Sequence, residues 1–191
     1  KNDAIPLRYI RQIPGMQNIV GALFHIPVGE VWPTEDIMAL KYEIENAGLL
    51  FKTVESVNVH EDIKLGLPSR DRYIDNYCTT LRNLSKAGIT VVCYNFMPVF
   101  DWMRTVLDWK LPDESSVLFY DENVIRNIKP EKLIEEVETG SNGYILPGWE
   151  KERLATIRNL FEMYKDVDEE KLFANLQYFL KAIIPVAQEC G

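Results

Sequence analysis

Apolar positions along this chain switch between two periods, and each switch marks an element. Ile37, Leu40, Ile44 and Ala47 recur at helical spacing behind Pro33-Thr34, with Glu35 and Asp36 in the first turn. Carboxylates there favour the positive end of the helix dipole, and Thr34 is the expected N-cap. A second helical stripe, Ile74, Tyr77, Cys78, Leu81 and Leu84, starts behind Ser69 as its expected cap. A third runs from Asp168 through Leu172, Leu176, Phe179, Leu180, Ile183 and Ala187, with Pro185 near its end. Short, continuous apolar runs between these helices predict strands near 18–24, 50–57 and 90–96.

Three helix-period runs close on glycine: Asn46-Ala47-Gly48, Lys86-Ala87-Gly88 and Glu189-Cys190-Gly191. Glycine just past a helix is the usual left-handed stop. A strand follows the first two at once, and the third stands where the layout calls for another, so an incomplete repeating protein is expected. Residues 97–148 read as a long irregular loop region with one helix starting at Pro130, before helices over 149–165 and 168–190. Loops of that length in a compact domain are usually functional. The pattern suggests one partial domain over 1–191.

Strands alternating with helices through short glycine turns indicate a parallel α/β sheet, either open and doubly wound or closed as a (β/α)8 TIM barrel. A doubly wound nucleotide binder usually carries GxGxxG after its first strand. Here Phe24-His25-Ile26-Pro27-Val28-Gly29 has none, which favours the barrel. A barrel needs eight strands and about 250 residues. This chain supplies about three consecutive β/α units.

Composition narrows the class. Hydrophobic content of 47% with 26% charged residues is that of a globular protein. A net charge of -8 argues against a nucleic-acid binder, which needs a basic face. No apolar run suggests a membrane span and no signal-peptide pattern opens the chain. Cys78, Cys93 and Cys190 form no CxxC; the first two read as buried reduced thiols, which fits a reducing cytoplasm.

In a β/α barrel, reactive groups collect beyond the C-terminal ends of the strands. Two such ends are polar and aromatic: Glu55 to Asp62, and Tyr94 to Arg104. His60 can exchange a proton or donate to a substrate oxygen, and it is the better of two histidines. His25 also follows a strand, but a plain loop histidine is favoured there over a functional one. Glu55 would need a cation or polar cleft if buried. Asn95 can hydrogen-bond a hydroxyl-rich ligand, while Trp102 and Arg104 suggest an aromatic wall and a carboxylate grip for a sugar acid. His60, Glu61 and Asp62 make no recognised zinc or iron spacing, so no metal ligand is assigned.

Several long blocks closely resemble the mannonate dehydratase family. They are Ile10-Arg11-Gln12-Ile13-Pro14-Gly15-Met16, Pro27-Val28-Gly29-Glu30-Val31-Trp32-Pro33, Glu55-Ser56-Val57 with Val59-His60-Glu61-Asp62-Ile63-Lys64, Arg70-Asp71-Arg72-Tyr73-Ile74, Val91 to Trp102, and Leu146-Pro147-Gly148-Trp149. The resemblance covers the whole chain and is to the N-terminal half of the family. It implies a xylose-isomerase-like TIM barrel and a hydro-lyase of glucuronate catabolism that converts D-mannonate to 2-dehydro-3-deoxy-D-gluconate with Mn2+ or Fe2+. The family's metal ligands (two His, a Cys and an Asp) and an acid-base His come from later strands, beyond Gly191. The resemblance carries over His60, Asn95, Trp102 and Arg104 as substrate-facing residues and leaves no catalytic residue assigned in this chain. The expected partner is a small sugar acid, in a cytoplasmic protein that could be a homo-oligomer. The 191 residues alone are expected to be inactive. Two other readings stand beside this one: a metal-dependent sugar isomerase of a related barrel, and a non-catalytic half-barrel that associates with another chain.

Overall fold

The computed structural model describes residues 5–99, 104–127 and 159–191. Trp102, the helix expected from Pro130 and the first part of the helix expected over 149–165 lie outside them; within that last helix, residues 159–164 are helical. The chain groups into two compact units, 1–96 with 167–191 and 97–166, where the sequence suggested one.

The first unit is built on a parallel sheet in the order β1 (Asn18–Gly21), β2 (Leu50–Val54) and β3 (Val91–Val92). Register pairs Asn18 with Leu50, then, after a shift, Val20 with Thr53; Val54 faces Val92. A short helix, α1 (Leu7–Ile10), precedes β1. Helix α2 (Thr34–Asn46) joins β1 to β2, and α3 (Glu61–Leu65) with α4 (Arg70–Lys86) joins β2 to β3. Gly48 and Gly88 take positive φ of 78° and 73°, so both helices stop where glycine predicted and hand over to a strand.

The strands are shorter than expected. β2 leaves the ladder after Val54, and β3 keeps only two paired residues of the expected 90–96. Backbone bonds persist a little further, with Cys93 N donating to Val54 O and Val57 N to Cys93 O. Apolar runs report side-chain packing, and here the rings past Val92 pack on a helix without being paired, Phe96 half-buried and Tyr94 still exposed. Tyr94 and Phe96 both pack on Phe179 of the unit's last helix.

That helix, called α5 here and extending over Glu169–Cys190, starts behind Asp168, whose carboxylate accepts from Lys171 N as an N-cap should. Two other expected caps differ. Pro33 occupies the N-cap of α2, making Thr34 its first helical residue, and Ser69 directs its hydroxyl to the Asp62 carboxylate instead of to α4. Asn175, Phe179, Ile183 and Val186 form the buried face of α5, against α3 and α4. Ala187, placed on the inner stripe by spacing, is exposed.

The second unit holds a device absent from the sequence reading. Inside the expected loop region, β4 (Val106–Lys110) and β5 (Ser116–Phe119) form an antiparallel hairpin, and Trp109 stacks on Phe119 at 4.5 Å. At its turn the Ser115 hydroxyl, and then the Ser115 N–H, hold the Asp113 carboxyl below its usual range. A short helix over Glu122–Asn127 follows.

Candidate functional site at the strand ends

Beyond β2 the chain runs Glu55-Ser56-Val57-Asn58-Val59-His60 into α3. Val57 and Val59 are core residues, and this pins the segment while Ser56, Asn58 and His60 supply its polar groups. The Glu55–Ser56 peptide bond is cis. Glu61 and Asp62 form the first turn of α3. There the Glu61 carboxylate pairs with the buried Lys64 ammonium at 2.9 Å.

His60 is the N-cap of α3. Its Nδ1 accepts the Asp62 N–H at 3.1 Å, so the neutral ring carries its proton on Nε2. The imidazole stacks on Tyr73 of α4 with centroids 3.7 Å apart and planes 11° from parallel. Its Nε2 has no partner among the described residues.

Asn95, at the neighbouring strand end, joins His60's segment through Ser56. Asn95 Nδ2 donates to Ser56 Oγ at 2.9 Å, and Ser56 Oγ donates to Asn58 Oδ1 at 2.7 Å. Alternation explains the direction of Asn95: Tyr94 and Phe96 turn toward Phe179, so the residue between them faces the other way. The Asn95 carbonyl and the Asn58 amide nitrogen are left without partners among the described residues, ready for a ligand with hydroxyls. Ser56→Ala removes both bonds at a buried position and is expected to destabilise the protein by about 1–3 kcal/mol. Urea unfolding of the variant checks this; an unchanged midpoint would show that the relay contributes nothing.

The loop after β1 closes one side of this region. Three α4 side chains hold it: Asn76 donates to Gly29 O at 2.8 Å, Thr80 accepts from Trp32 N at 3.1 Å, and Asn83 donates to Trp32 O at 2.9 Å. Between loop and α4 lies a cleft of about 530 Å³, counted with the solvent at its mouth, lined by Trp32, Ser56, Asn58, His60, Tyr73 and Tyr77 among others. Burial first, then Tyr94, Cys93 and Cys78, push the Tyr77 phenol well above its ordinary value, so it stays protonated and cannot act as a base.

Arg104 belongs to the second unit, just ahead of β4, and is half-buried. Trp102 lies outside the described residues. Glu55 is exposed, so the need for a cation that burial would have imposed lapses. His25 is exposed, 3.3 Å from an Asp36 carboxylate oxygen. Cys78 is buried, and burial pushes its thiol up; Cys93, expected to be buried, is half-buried just past β3. Among the described residues no group of three or more His, Cys, Asp or Glu side chains can hold a metal ion, so they do not fit a metal centre of their own.

Ser56, Asn58, Tyr73 and the Asn76-Thr80-Asn83 stripe were missed as site residues. The stripe had a signal: polar residues at i, i+4 and i+7 beside the apolar stripe of α4 form a second face, suited to gripping a backbone.

Parallel strands joined in sequence order by helices, with polar groups beyond their C-terminal ends, define a segment of an α/β barrel. A crystal structure of mannonate dehydratase from Streptococcus suis serotype2 matches it with a TM-score of 0.80 and 44% identity, covering 100% of this chain and 49% of that one. The family described as D-mannonate dehydratase (UxuA) matches residues 1–191. Mannonate dehydratase of Thermotoga neapolitana is 63% identical over 190 residues, which are 100% of this chain and 53% of that protein. The Geobacillus thermodenitrificans enzyme of the same name is 59% identical over 189 residues, 99% of this chain and 51% of that protein. The chain belongs to the D-mannonate dehydratase family and spans about half the length of these relatives.

Proposed function

We propose that the whole protein carrying this chain is a hydro-lyase that dehydrates D-mannonate to 2-dehydro-3-deoxy-D-gluconate, a step of glucuronate catabolism in the cytoplasm. The observation behind this reading is the placement of His60, Ser56, Asn58 and Asn95 beyond adjoining parallel strands in a chain 63% identical to a mannonate dehydratase.

The reaction removes the proton beside the carboxylate and the hydroxyl on the next carbon; the resulting enol becomes the ketone. Groups that bind and orient hydroxyls suit such a substrate, since correct placement of the reacting atoms accounts for much of the rate. Asn58 and Asn95 offer an amide N–H and a carbonyl, and His60 offers Nε2–H. On chemical grounds alone, Arg104 is assigned to the substrate carboxylate and Trp102 to an aromatic wall. The reading retains a divalent metal, Mn2+ or Fe2+, as a requirement of the whole protein, with ligands outside the described residues.

The test is direct. With Mn2+ or Fe2+ added, the purified whole protein is expected to turn D-mannonate into a 2-keto-3-deoxy acid, and chelation is expected to stop it. Absence of any 2-keto acid with either metal would overturn the assignment.

A further inference from the structure

Three contacts fix the His60 ring, and together they leave one free edge. Asp62 occupies Nδ1: its N–H donates at 3.1 Å, and its carboxylate oxygen stands further off at 3.6 Å. Tyr73 covers one face at 3.7 Å. Gly29 closes the edge at Cδ2: a β-carbon built on it would stand 2.8 Å from His60 Cδ2 and 2.6 Å from Tyr73 Cδ1. Gly29 also holds φ at +89°, which side-chain-bearing residues rarely adopt. Asn76 ties Gly29 O to α4, the helix that carries Tyr73, and Arg72 reaches Glu30 at 3.8 Å, so glycine and tyrosine are set by the same helix.

A half-turn of the ring would place Cδ2 at the Asp62 N–H and lose the cap, while its face would still need Tyr73. Orientation and tautomer are therefore determined together. We propose that Tyr73 and Gly29 are positioning residues for His60, holding it as a neutral Nε2–H donor to an oxygen of the bound sugar acid. The lone pair is on Nδ1 and is occupied by Asp62 N–H, so His60 donates a hydrogen bond and does not take the substrate's carbon-bound proton. This inference rests on the proposed reaction for its substrate, but the state of the ring can be read without turnover.

The experiment uses the whole protein labelled with 15N-histidine. His60 is assigned by the signals lost in His60→Asn, and long-range proton–nitrogen correlations report which ring nitrogen carries hydrogen. A single Nε2–H tautomer is expected in the wild type at neutral pH. Tyr73→Leu is expected to give a mixture of tautomers and to lower kcat for D-mannonate about 10-fold or more while moving KM less, because misplacing a reacting group by a fraction of its contact distance carries such losses. Tyr73→Phe keeps the stacked ring and is expected to restore both readouts, and Gly29→Ala to act like Tyr73→Leu. A wild-type ring protonated on Nδ1, or averaging between tautomers, overturns the proposal even if no variant folds. So does Tyr73→Leu with wild-type tautomer and kcat. A fixed Nε2–H ring in a protein that does not turn over D-mannonate would instead sink the proposed reaction and leave the positioning device standing.

Discussion

Replacing Phe179 by alanine is expected to destabilise the whole protein by about 3–5 kcal/mol, the range for deleting a buried aromatic ring. The side chain is completely buried at the centre of the first unit. It meets Tyr77 of α4 edge-on at 5.0 Å, Tyr94 at 5.8 Å and Phe96 at 5.9 Å, so one ring joins a helix to the end of β3. Aromatic pairs of this kind add about 0.5–1.5 kcal/mol each beyond the area they bury. Three facing rings cannot all collapse into the space one ring leaves, which places the loss high in the range. Phe179→Leu retains most of the volume and should cost about 1.5 kcal/mol. Urea midpoints at unchanged slope measure both. A loss below about 1 kcal/mol for the alanine variant would mean that the cluster relaxes freely and that Tyr94 and Phe96 do not depend on it.

Much of this architecture was visible in apolar spacing. Ile74, Tyr77, Cys78, Leu81 and Leu84 all came out buried on α4, and Gly48 and Gly88 both end helices in the left-handed region. Where the reading overran, the cause is physical. Tyr94 and Phe96 extend a β-like apolar run, but their rings pack against Phe179 where no ladder pairs them, so periodicity cannot say where pairing ends. On α5, apolar residues extend round a wide arc, and Asn175 sits on the buried face because its amide donates to Lys64 O at 2.8 Å. A polar residue in a core position, paid for by one hydrogen bond to another helix's end, has no signature in local sequence. The β5 half of the β4–β5 hairpin was hidden for a related reason: its Val117, Leu118 and Phe119 follow one another and do not alternate with polar residues in the way a half-buried strand would.

The site divides in the same way. His60 and Asn95 were legible because residue type and position at a strand end suffice to raise them. Their partners were not, since Ser56, Asn58 and Tyr73 acquire meaning only when β2, β3 and α4 come together over 39 residues of sequence separation in one bond and 13 in the stack. Gly29 takes a positive φ of 89°. Its larger constraint is lateral, from two rings that leave no room for a β-carbon.

His60→Asn separates the two duties that meet at this residue. Asparagine is among the best N-caps, so its side chain can take over the Asp62 N–H, and α3 should lose little stability; His60→Ala, with no acceptor, is expected to lose about 1 kcal/mol. Neither variant can place an Nε2–H donor beside Tyr73. If that donor meets a sugar-acid oxygen that bears charge, its removal forfeits about 1.5–3 kcal/mol, which corresponds to a fall in kcat/KM for D-mannonate of about 10-fold to 100-fold. The expected pattern is thus a near-normal unfolding midpoint with weak turnover for His60→Asn, and both defects for His60→Ala. Unfolding curves and steady-state kinetics on the same preparations decide it. Wild-type kcat/KM in a stable His60→Asn protein would reduce His60 to a helix cap, and the strand-end cluster would then have to bind its ligand through Asn58 and Asn95 alone.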